Sequence, residues 1–446
     1  MKAKIYISAL LITGSAMLFT SCKDLLDLEP AQSLSNETAL DSEEGVKQTL
    51  NGAYDLMSAS SFIGGELMRN AELYGGEGEI VWVGTYTAPR EIWLRDIIVN
   101  NGDVEGLWDI CYETINTVNN VLNALAVVEE DAETVQGEAL AIRGWCLFEL
   151  TRNFGQQYET GMDNSQPAVP IILTPTINFG DNTNVPRSTV EECYTQIIND
   201  LTLAESLLPE KNDEKINKYT ASALLARVYL QKGDYASARD AADRVISSND
   251  YDLLPNFADI FAQDDNTDED IFSVQISEQD GNNAMNDYWT ISDYGGRGDI
   301  EIEDAFYALY DTADARRDMF FEDAGIRYTS KFNNEFGNLT VIRLAEMFLI
   351  RAECNERLGT ETGASPLDDY NMIHTRAGLE AAASVSLDDI LLERRLELAF
   401  EGFKIWEIKR LHETIGTMNY NDPKLVYPIP QAEIDINPEL EQNPGY

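Results

Sequence analysis

The sequence predicts a mainly α-helical protein in which irregular tetratricopeptide-like helical hairpins form a scaffold, with long loop insertions and minor β structure. Apolar residues recur at steps of three and four along residues 107–125 and again along residues 135–154, as they do on one face of a helix. Residues 217–246 carry the small and aromatic positions of a tetratricopeptide hairpin, and residues 342–359 repeat the start of that pattern. Packed helix pairs are therefore the expected building unit.

The first predicted hairpin joins the helices of residues 107–125 and 135–154 through a short acidic link at residues 129–133. A link this short makes the two helices antiparallel neighbours. A third helix is predicted to begin at Ser188, with Glu191 as its capping-box partner, and to stop at Pro209.

The tetratricopeptide-like pattern occurs twice. Its small and aromatic positions in the first copy are Ala226, Tyr229, Gly233, Tyr235 and Ala238. The second copy repeats the first three positions as Ala352, Asn355 and Gly359, at the same offsets. Because the copies lie 126 residues apart, the sequence predicts an interrupted set of hairpins rather than a regular solenoid.

Three long stretches, residues 60–103, 160–187 and 250–340, show no helical periodicity and are predicted to be loop regions. Loops of this length in a folded domain are usually functional. The third contains an acidic run at residues 264–270, which lacks the glycine and the final glutamate of a calcium-binding loop. That run is interpreted as a solvated turn, and no metal site is predicted.

Composition and charge exclude several classes of function. The 446 residues include 78 acidic and 32 basic side chains, and a net charge of −46 repels nucleic acid and anionic membrane surfaces. The sequence contains no Cys-x-x-Cys pair, no zinc-binding helix motif, no phosphate loop and no nucleophile elbow. We therefore expect neither an enzyme nor a cofactor.

The N-terminus has the pattern of a secreted protein. Lys2 and Lys4 precede an apolar run at residues 5–19, which is too short to span the roughly 30 Å hydrocarbon layer as a stable anchor. The residues that lead to Cys22 resemble the bacterial lipoprotein box, in which the cysteine becomes the acylated first residue. This resemblance implies a signal peptide at residues 1–21 and lipidation of Cys22; the alternative is an ordinary thiol.

Several segments together resemble the SusD/RagB family of outer-membrane, glycan-binding lipoproteins. Residues 393–410 are similar to that family's late helix and turn, and residues 427–446 are similar to its closing segment. Residues 139–155, 188–201 and 371–379 are further family-like stretches. The resemblance covers nearly the whole mature chain.

This resemblance implies one SusD-like domain over residues 22–446, with a tetratricopeptide-like frame and ligand-binding loop regions at residues 60–103 and 250–340. It also implies a cell-surface location, with the protein held in the outer membrane through a lipid on Cys22. The expected partner is a SusC-like TonB-dependent transporter, to which the protein passes bound oligosaccharide.

Loop aromatics are the candidate sugar contacts. The apolar C–H face of a sugar packs on an aromatic ring, while neighbouring polar groups exchange hydrogen bonds with its hydroxyls. Two clusters flanked by glycines have these residue types: Trp82, Tyr86, Arg90 and Trp93 in the first loop region, and Asn286, Tyr288, Trp289, Tyr294 and Arg297 in the third. The alternative is that these aromatics form satellite core beneath the loops. The acidic net charge favours a neutral glycan.

Other interpretations remain open at this point. A peptide ligand on the same frame is one alternative, and a glycoside hydrolase, which would need two suitably spaced carboxylates, is a less favoured second. In residues 393–410 the charged side chains Arg394, Arg395, Glu397 and Glu401 are interpreted as structural, with Arg394 and Glu397 able to pair one turn apart. Free buried thiols are expected, with a Cys111–Cys146 bridge as the alternative.

Overall fold

The computed structural model describes residues 40–177, 181, 184–277 and 283–446. The predicted signal peptide and Cys22 lie outside the described residues. Across the part of the chain that is described, none of the helices combines the length and the apolar character that crossing a membrane requires.

The fold is mainly α-helical, as predicted. Within the described residues, the first nine helices are Glu43–Ser58 (α1), Glu66–Gly75 (α2), Thr87–Leu94 (α3), Gly102–Asn123 (α4), Ala132–Phe154 (α5), Val190–Leu207 (α6), Lys218–Lys232 (α7), Tyr235–Ile246 (α8) and Ala284–Trp289 (α9). The next six are Asp304–Tyr307 (α10), Leu344–Leu358 (α11), Pro366–Arg376 (α12), Leu387–Glu397 (α13), Lys404–Arg410 (α14) and Gln431–Ile436 (α15).

The β structure is minor, also as predicted. The strands are Ile80–Trp82 (β1), Asp270–Val274 (β2), Ile300–Ile302 (β3), Phe320–Asp323 (β4), Ile326–Thr329 (β5), Leu339–Arg343 (β6), Thr414–Ile415 (β7) and Met418–Asn419 (β8). They form four antiparallel pairs, which are β1–β3, β2–β6, β4–β5 and β7–β8.

Helices α4 and α5 form the predicted antiparallel hairpin, and α5 packs along α6. The close approach depends on glycine: a Cβ at Gly137 would lie 2.7 Å from Cγ of Leu208, and one at Gly144 would lie 3.0 Å from Cγ of Leu201. Cys111 and Cys146 face each other in this hairpin as buried free thiols. Burial, and then the hydrogen bond with Cys146, raise the pKa of the Cys111 thiol.

Both tetratricopeptide-like hairpins are present, and they pack directly on each other. Helix α7 ends at Gly233 (φ +76°) and α8 follows, while α11 ends at Gly359 (φ +63°) and α12 follows. Helix α8 lies against α11, and its Ala238 and Ala242 are fully buried. Small side chains therefore let two hairpins that are distant in sequence form one continuous frame.

The start of the third predicted helix is one residue later than expected. Thr189, not Ser188, is the N-cap, and Glu192, not Glu191, completes the capping box. The Glu192 carboxylate accepts a hydrogen bond from the Thr189 amide at 2.8 Å. Ser188 is instead held in extended chain, where its amide donates to the carbonyl of Val169 at 3.0 Å.

The expectation of loop structure at residues 60–103 was wrong, because this region contains α2, β1 and α3. All residues of α2 from Leu67 to Gly75 are buried. The helix is only ten residues long and lies between Gly64–Gly65 and Gly75–Gly76, and this glycine-rich setting favoured a loop interpretation. Residues 250–340 likewise include α9, α10 and strands β2 to β5.

A buried ion cluster lies behind the family-like segment of residues 393–410. The Glu397 carboxylate pairs with Arg343 at 2.5 Å, with Arg316 at 3.2 Å and with Arg376. Arg394 does not pair with Glu397; its side chain donates to Glu407 at 3.0 Å. These side chains are buried, and their charges are neutralised by partners within the protein. The cluster therefore has a structural role, as predicted for the charged residues of this segment.

Candidate ligand-binding site

The two predicted aromatic clusters meet in space because β1 pairs with β3. Trp82 lies opposite Ile300 in this antiparallel ladder, which brings residues 80–93 beside residues 286–299. The ring of Tyr288 stands between the clusters, with its centroid 6.0 Å from that of Trp82 and 6.4 Å from that of Tyr86. We call the surface around Tyr86, Tyr288 and Arg297 the aromatic face.

Tyr86 is the most exposed aromatic of the face, with 47% of its surface accessible. It is the N-cap residue of α3, so its ring projects from the end of a helix. The Arg297 guanidinium lies over the ring, 4.4 Å from its centroid. Arg297 is held in turn by Asp299, to which its Nε donates at 2.8 Å. The hydrogen bond with Asp299 raises the pKa of Arg297.

Tyr288 forms the inner part of the face. Only 8% of its surface is exposed, and the Arg69 guanidinium covers its ring at 4.1 Å from the centroid. Arg69 is fully buried and pairs with Asp103 and, at 3.7 Å, with Glu66. Burial raises the pKa of Tyr288 to about 12. The hydroxyl therefore stays protonated and can donate a hydrogen bond.

Sequence reasoning missed Arg69, Glu66 and Asp103. Arg69 and Glu66 belong to α2, a short helix between glycine pairs that was predicted to be part of a loop region. Asp103 lies in the first turn of α4, where Asn101 is the N-cap. Asn101 is a sequence signal for the start of α4, but no local pattern indicates that Asp103 lies near Tyr288.

Asn286 and Trp289 do not lie on the face, so the expectation that they contact ligand is corrected. Trp289 is fully buried, and its ring centroid is 4.7 Å from that of Phe400. Asn286 is also fully buried, and its side-chain amide donates to the carbonyls of Tyr294 at 2.9 Å and Phe332 at 2.8 Å. These two residues fit the satellite-core alternative.

Trp82, which was predicted to contact ligand, is instead a core residue below the face, and Trp93 packs against the same core. Trp82 is 3% exposed, and the half-buried Trp93 donates from its indole nitrogen to the carbonyl of Ile80 at 3.3 Å. Gly84 leaves room for this packing, since a Cβ there would lie 2.5 Å from Cζ2 of Trp82 and 2.6 Å from Cγ of Asp299. The two tryptophans fix β1 and the start of α3, and through them Tyr86.

Arg90 lies at the edge of the face and is exposed. Its guanidinium donates to the carbonyl of Gly84 at 2.7 Å. No carboxylate among the described residues forms an ion pair with it. Most of its five N–H donors therefore remain available for a ligand.

A second exposed ring continues the face. Tyr294 has 43% of its surface exposed and meets Phe321 edge to face, with 5.6 Å between centroids. Phe321 lies opposite Tyr328 in the β4–β5 hairpin. Sequence reasoning missed Phe321 and Tyr328, although the Ala324–Gly325 turn between two short aromatic runs is a hairpin signal.

This arrangement is suited to non-covalent recognition of a polyhydroxylated ligand. Tyr86 and Tyr294 offer ring surface to apolar C–H groups, while Arg90 and Arg297 can donate hydrogen bonds to hydroxyls. Within the described ranges, no group of histidine, cysteine and acidic side chains has the arrangement needed to hold a metal ion.

Comparison with known proteins gives consistent matches. A family model described as "Starch-binding associating with outer membrane" matches residues 24–230, and one described as "SusD family" matches residues 318–425. A SusD-like protein of Formosa agariphila is 25% identical, and the match covers 98% of this chain and 98% of that protein.

Solved structures agree. A SusD superfamily protein from Bacteroides vulgatus is 28% identical with a TM-score of 0.81, covering 91% of this chain and 99% of that chain. Another from Bacteroides thetaiotaomicron is 26% identical with a TM-score of 0.81, covering 90% of this chain and 100% of that chain. The similarity therefore extends over most of the molecule.

Proposed function

The chain belongs to the SusD/RagB family, and on that premise we propose that it is a cell-surface lipoprotein that captures oligosaccharides. In this proposal it delivers them to a partner TonB-dependent outer-membrane transporter. The mature chain, residues 22–446, acts as one domain, with the helical frame carrying the aromatic face. The family match, with a model named for starch binding, supports a glycan as the ligand class.

The observation that carries this proposal is the exposed ring of Tyr86 with Arg297 stacked on it. An exposed tyrosine normally loses rotamer freedom when it binds, and this costs affinity. Here Arg297 on one face and the edge of Tyr288 already hold the ring. A sugar that packs on the remaining ring surface meets a pre-organised platform, with Arg90 near one side.

The two carboxylates of the family-like segment of residues 393–410, Glu397 and Glu401, are not suited to be the general acid of a glycoside hydrolase. A glycoside hydrolase needs a general acid whose pKa is raised. The guanidinium and ammonium groups of Arg343 and Lys331 hold the pKa of Glu401 below its usual value in spite of burial, and three arginines do the same for Glu397. Both carboxylates are therefore ionised and engaged inside the protein.

The proposed location follows from the N-terminal pattern and the family description. A lipid on Cys22 buries acyl CH₂ groups in the membrane at about 0.8 kcal/mol each, while the body stays in water. The matching model is described as associating with the outer membrane. Replacing Cys22 by alanine should move the protein from the membrane fraction to the soluble fraction, and continued sedimentation with membranes would argue against the anchor.

Affinity electrophoresis through gels that contain neutral polysaccharides, starch included, tests glycan binding. Tyr86→Ala should lower the affinity by about 1–3 kcal/mol, roughly 5- to 150-fold, without changing the melting temperature. Tyr235→Ala is the matched control, because Tyr235 on α8 also has an arginine over its ring, Arg357 at 4.8 Å. Equal retention of the two variants in the gels would mean that Tyr86 is not part of the glycan-binding site. Retention by peptides alone would replace glycan with a peptide ligand.

A further inference from the structure

A second concave site lies between helix α4, loop residues 167–177 and 184–185, and helix α15. It is a cleft with a volume of about 290 Å³. The residues of its floor and walls include Trp108, Asp109, Tyr112, Ile172, Glu433 and Leu440. None of them belongs to the aromatic face, and the proposed glycan function does not use them.

The floor of the cleft is aromatic and pre-formed. Trp108 and Tyr112 occupy successive turns of α4, with 4.9 Å between their ring centroids. The Tyr112 hydroxyl donates to the carbonyl of Pro170 at 2.8 Å, and the Asn437 side chain donates to the carbonyl of Val185 at 3.0 Å. These bonds hold the loop and α15 against α4, so the cleft does not need to be built when a partner binds.

Acidic groups face this floor without a cation. Burial, and then repulsion by Asp109, raise the pKa of Glu433, while the Trp108 indole donates it a hydrogen bond. Burial, and then repulsion by Glu105 and Glu113, raise the pKa of Asp109. Like charges four residues apart on a helix are unfavourable. Within the described residues, no lysine, arginine or histidine forms an ion pair with either acid.

The guanidinium of Arg187, which interacts electrostatically with Tyr112, is already bound by backbone carbonyls. Arg187 donates to the carbonyl of Ala168 at 2.7 Å and to those of Phe154 and Glu441 at 3.0 Å. Burial lowers the pKa of Arg187 to about 10, which agrees with its lack of a carboxylate partner. Asp109 and Glu433 therefore keep their capacity to bind a positive group from outside.

Exposed aliphatic side chains are next in sequence to residues that line the cleft: Leu173 follows Ile172, Ile177 follows Thr176, and Ile436 precedes Asn437. Leu173 and Ile177, in the loop that forms one wall, are 45% and 62% exposed, and Ile436 at the end of α15 is 68% exposed. Large aliphatic groups beside a cleft are typical of surfaces that another protein covers. A free small amine would leave them in water.

We propose that this cleft is a docking site for a partner protein that inserts a lysine or arginine side chain between the Trp108–Tyr112 floor and the Asp109 and Glu433 carboxylates. The aromatic floor receives the alkyl stem and the cation, since cations are attracted to ring faces. The two carboxylates accept its hydrogen bonds, and aliphatic neighbours of the inserted residue cover Leu173, Ile177 and Ile436. An anchoring arginine flanked by apolar residues is common at the centre of interfaces.

The test uses two synthetic pentapeptides that differ in one group, one with a central arginine between isoleucine and leucine, the other with neutral citrulline in its place. Binding to the intact soluble protein is followed at the indole N–H signal of Trp108 in nuclear magnetic resonance spectra. We expect a saturable shift with the arginine peptide, at least about tenfold weaker affinity for the citrulline peptide, and further weakening at high salt.

Matched variants keep the outcome clear. Glu433→Gln should lower the affinity for the arginine peptide by about fivefold or more. Glu439→Gln should leave that affinity unchanged, because Glu439 is an exposed acid of the same segment outside the cleft. Equal binding of the two peptides, or full binding to Glu433→Gln, would overturn the proposal. A shift with glucosamine but not with the arginine peptide would also overturn it, in favour of a small-amine site. Glycan retention at the aromatic face is measured separately and is not affected by either result.

Discussion

The buried ion cluster around Glu397 and the aromatic face around Tyr86 both bring arginines to residues far away in sequence. Arg343 reaches Glu397 from 54 positions away, and Arg297 reaches Tyr86 from 211 positions away. In the ion cluster the side chains of Arg343 and Glu397 are at most 2% exposed. On the aromatic face the Arg297 side chain is 33% exposed. The same residue type thus occurs in two environments with opposite access to solvent.

The difference in exposure decides what each arginine can do. Arg343 spends its donors on Glu269, Glu397 and Glu401, at 2.5 to 3.0 Å. Arg297 uses Nε for Asp299, and its two remaining contacts, with Thr85 and Tyr86, are long at 3.3 and 3.4 Å. A ligand hydroxyl can replace such weak contacts at little cost. Burial, rather than residue type, therefore separates the structural cluster from the candidate site.

The largest expected effect is the loss of the buried cluster. Glu397→Ala leaves three buried guanidinium groups without their shared carboxylate, and we expect the free energy of unfolding to fall by about 4–5 kcal/mol. Denaturant titration at neutral pH measures it. Glu322→Ala is the control, because Glu322 pairs with Arg327 at 2.7 Å but is 60% exposed, and such a pair contributes at most about 1 kcal/mol. Equal losses would contradict the contrast between the two environments.

The helical frame was predictable from sequence because its signals are local. Apolar periodicity located α4 and α5, and the small residues before Gly233 and Gly359 located both tetratricopeptide-like hairpins. What could not be predicted was that α8 packs on α11, since that contact joins parts of the chain more than 100 residues apart. Helix α2 was missed for a different reason: it is short, and the glycines on both sides of it favoured a loop interpretation.

The site was predicted only in outline. Both aromatic clusters were found, but Trp289 and Tyr86 look alike in sequence, as each is an aromatic residue near glycines. Their environments are set by distant partners: Phe400 covers Trp289, whereas the β1–β3 pairing leaves Tyr86 at a helix start. No local pattern contains that information. Arg69, which covers Tyr288, was missed for the same reason.

Replacement of Trp289 tests the boundary between core and face. Trp289→Ala removes a fully buried indole that packs on Phe400 and Phe332, and we expect a loss of about 3–4 kcal/mol in stability. Tyr86→Ala should cost less than about 0.5 kcal/mol of stability, because its ring is half exposed. Thermal unfolding of the two variants measures the difference. A Trp289→Ala protein with unchanged stability would mean that this ring belongs to the face after all.

The smallest effect concerns buried cations with and without a carboxylate. Lys331 donates to Glu401 at 2.6 Å, whereas the Nζ of Lys409 donates to the carbonyl of Arg152 at 3.5 Å and lies 5.1 Å from the centroid of the Trp406 ring. Burial, and then the charge of Arg152, lower the pKa of Lys409 to about 7. Between about pH 7 and pH 10 the unfolded chain therefore binds a proton that the folded protein lacks, and stability rises with pH by about 1.4 kcal/mol per unit.

The Lys409→Met variant isolates this contribution, because methionine has a similar length and no charge. The variant should be more stable than the parent protein at pH 7, and the gap between them should shrink as the pH is raised to 9. Denaturant titrations of both proteins at pH 7, 8 and 9 measure the difference in their free energies of unfolding. The contributions of all other titrating groups cancel in this difference, because both proteins contain them. A constant gap would mean that Lys409 keeps its proton when buried. A carbonyl and an aromatic ring would then be enough to keep a buried lysine charged, whereas Lys331 has a carboxylate partner. Burial would in that case separate the ion cluster from the aromatic face less sharply than Glu397 indicates.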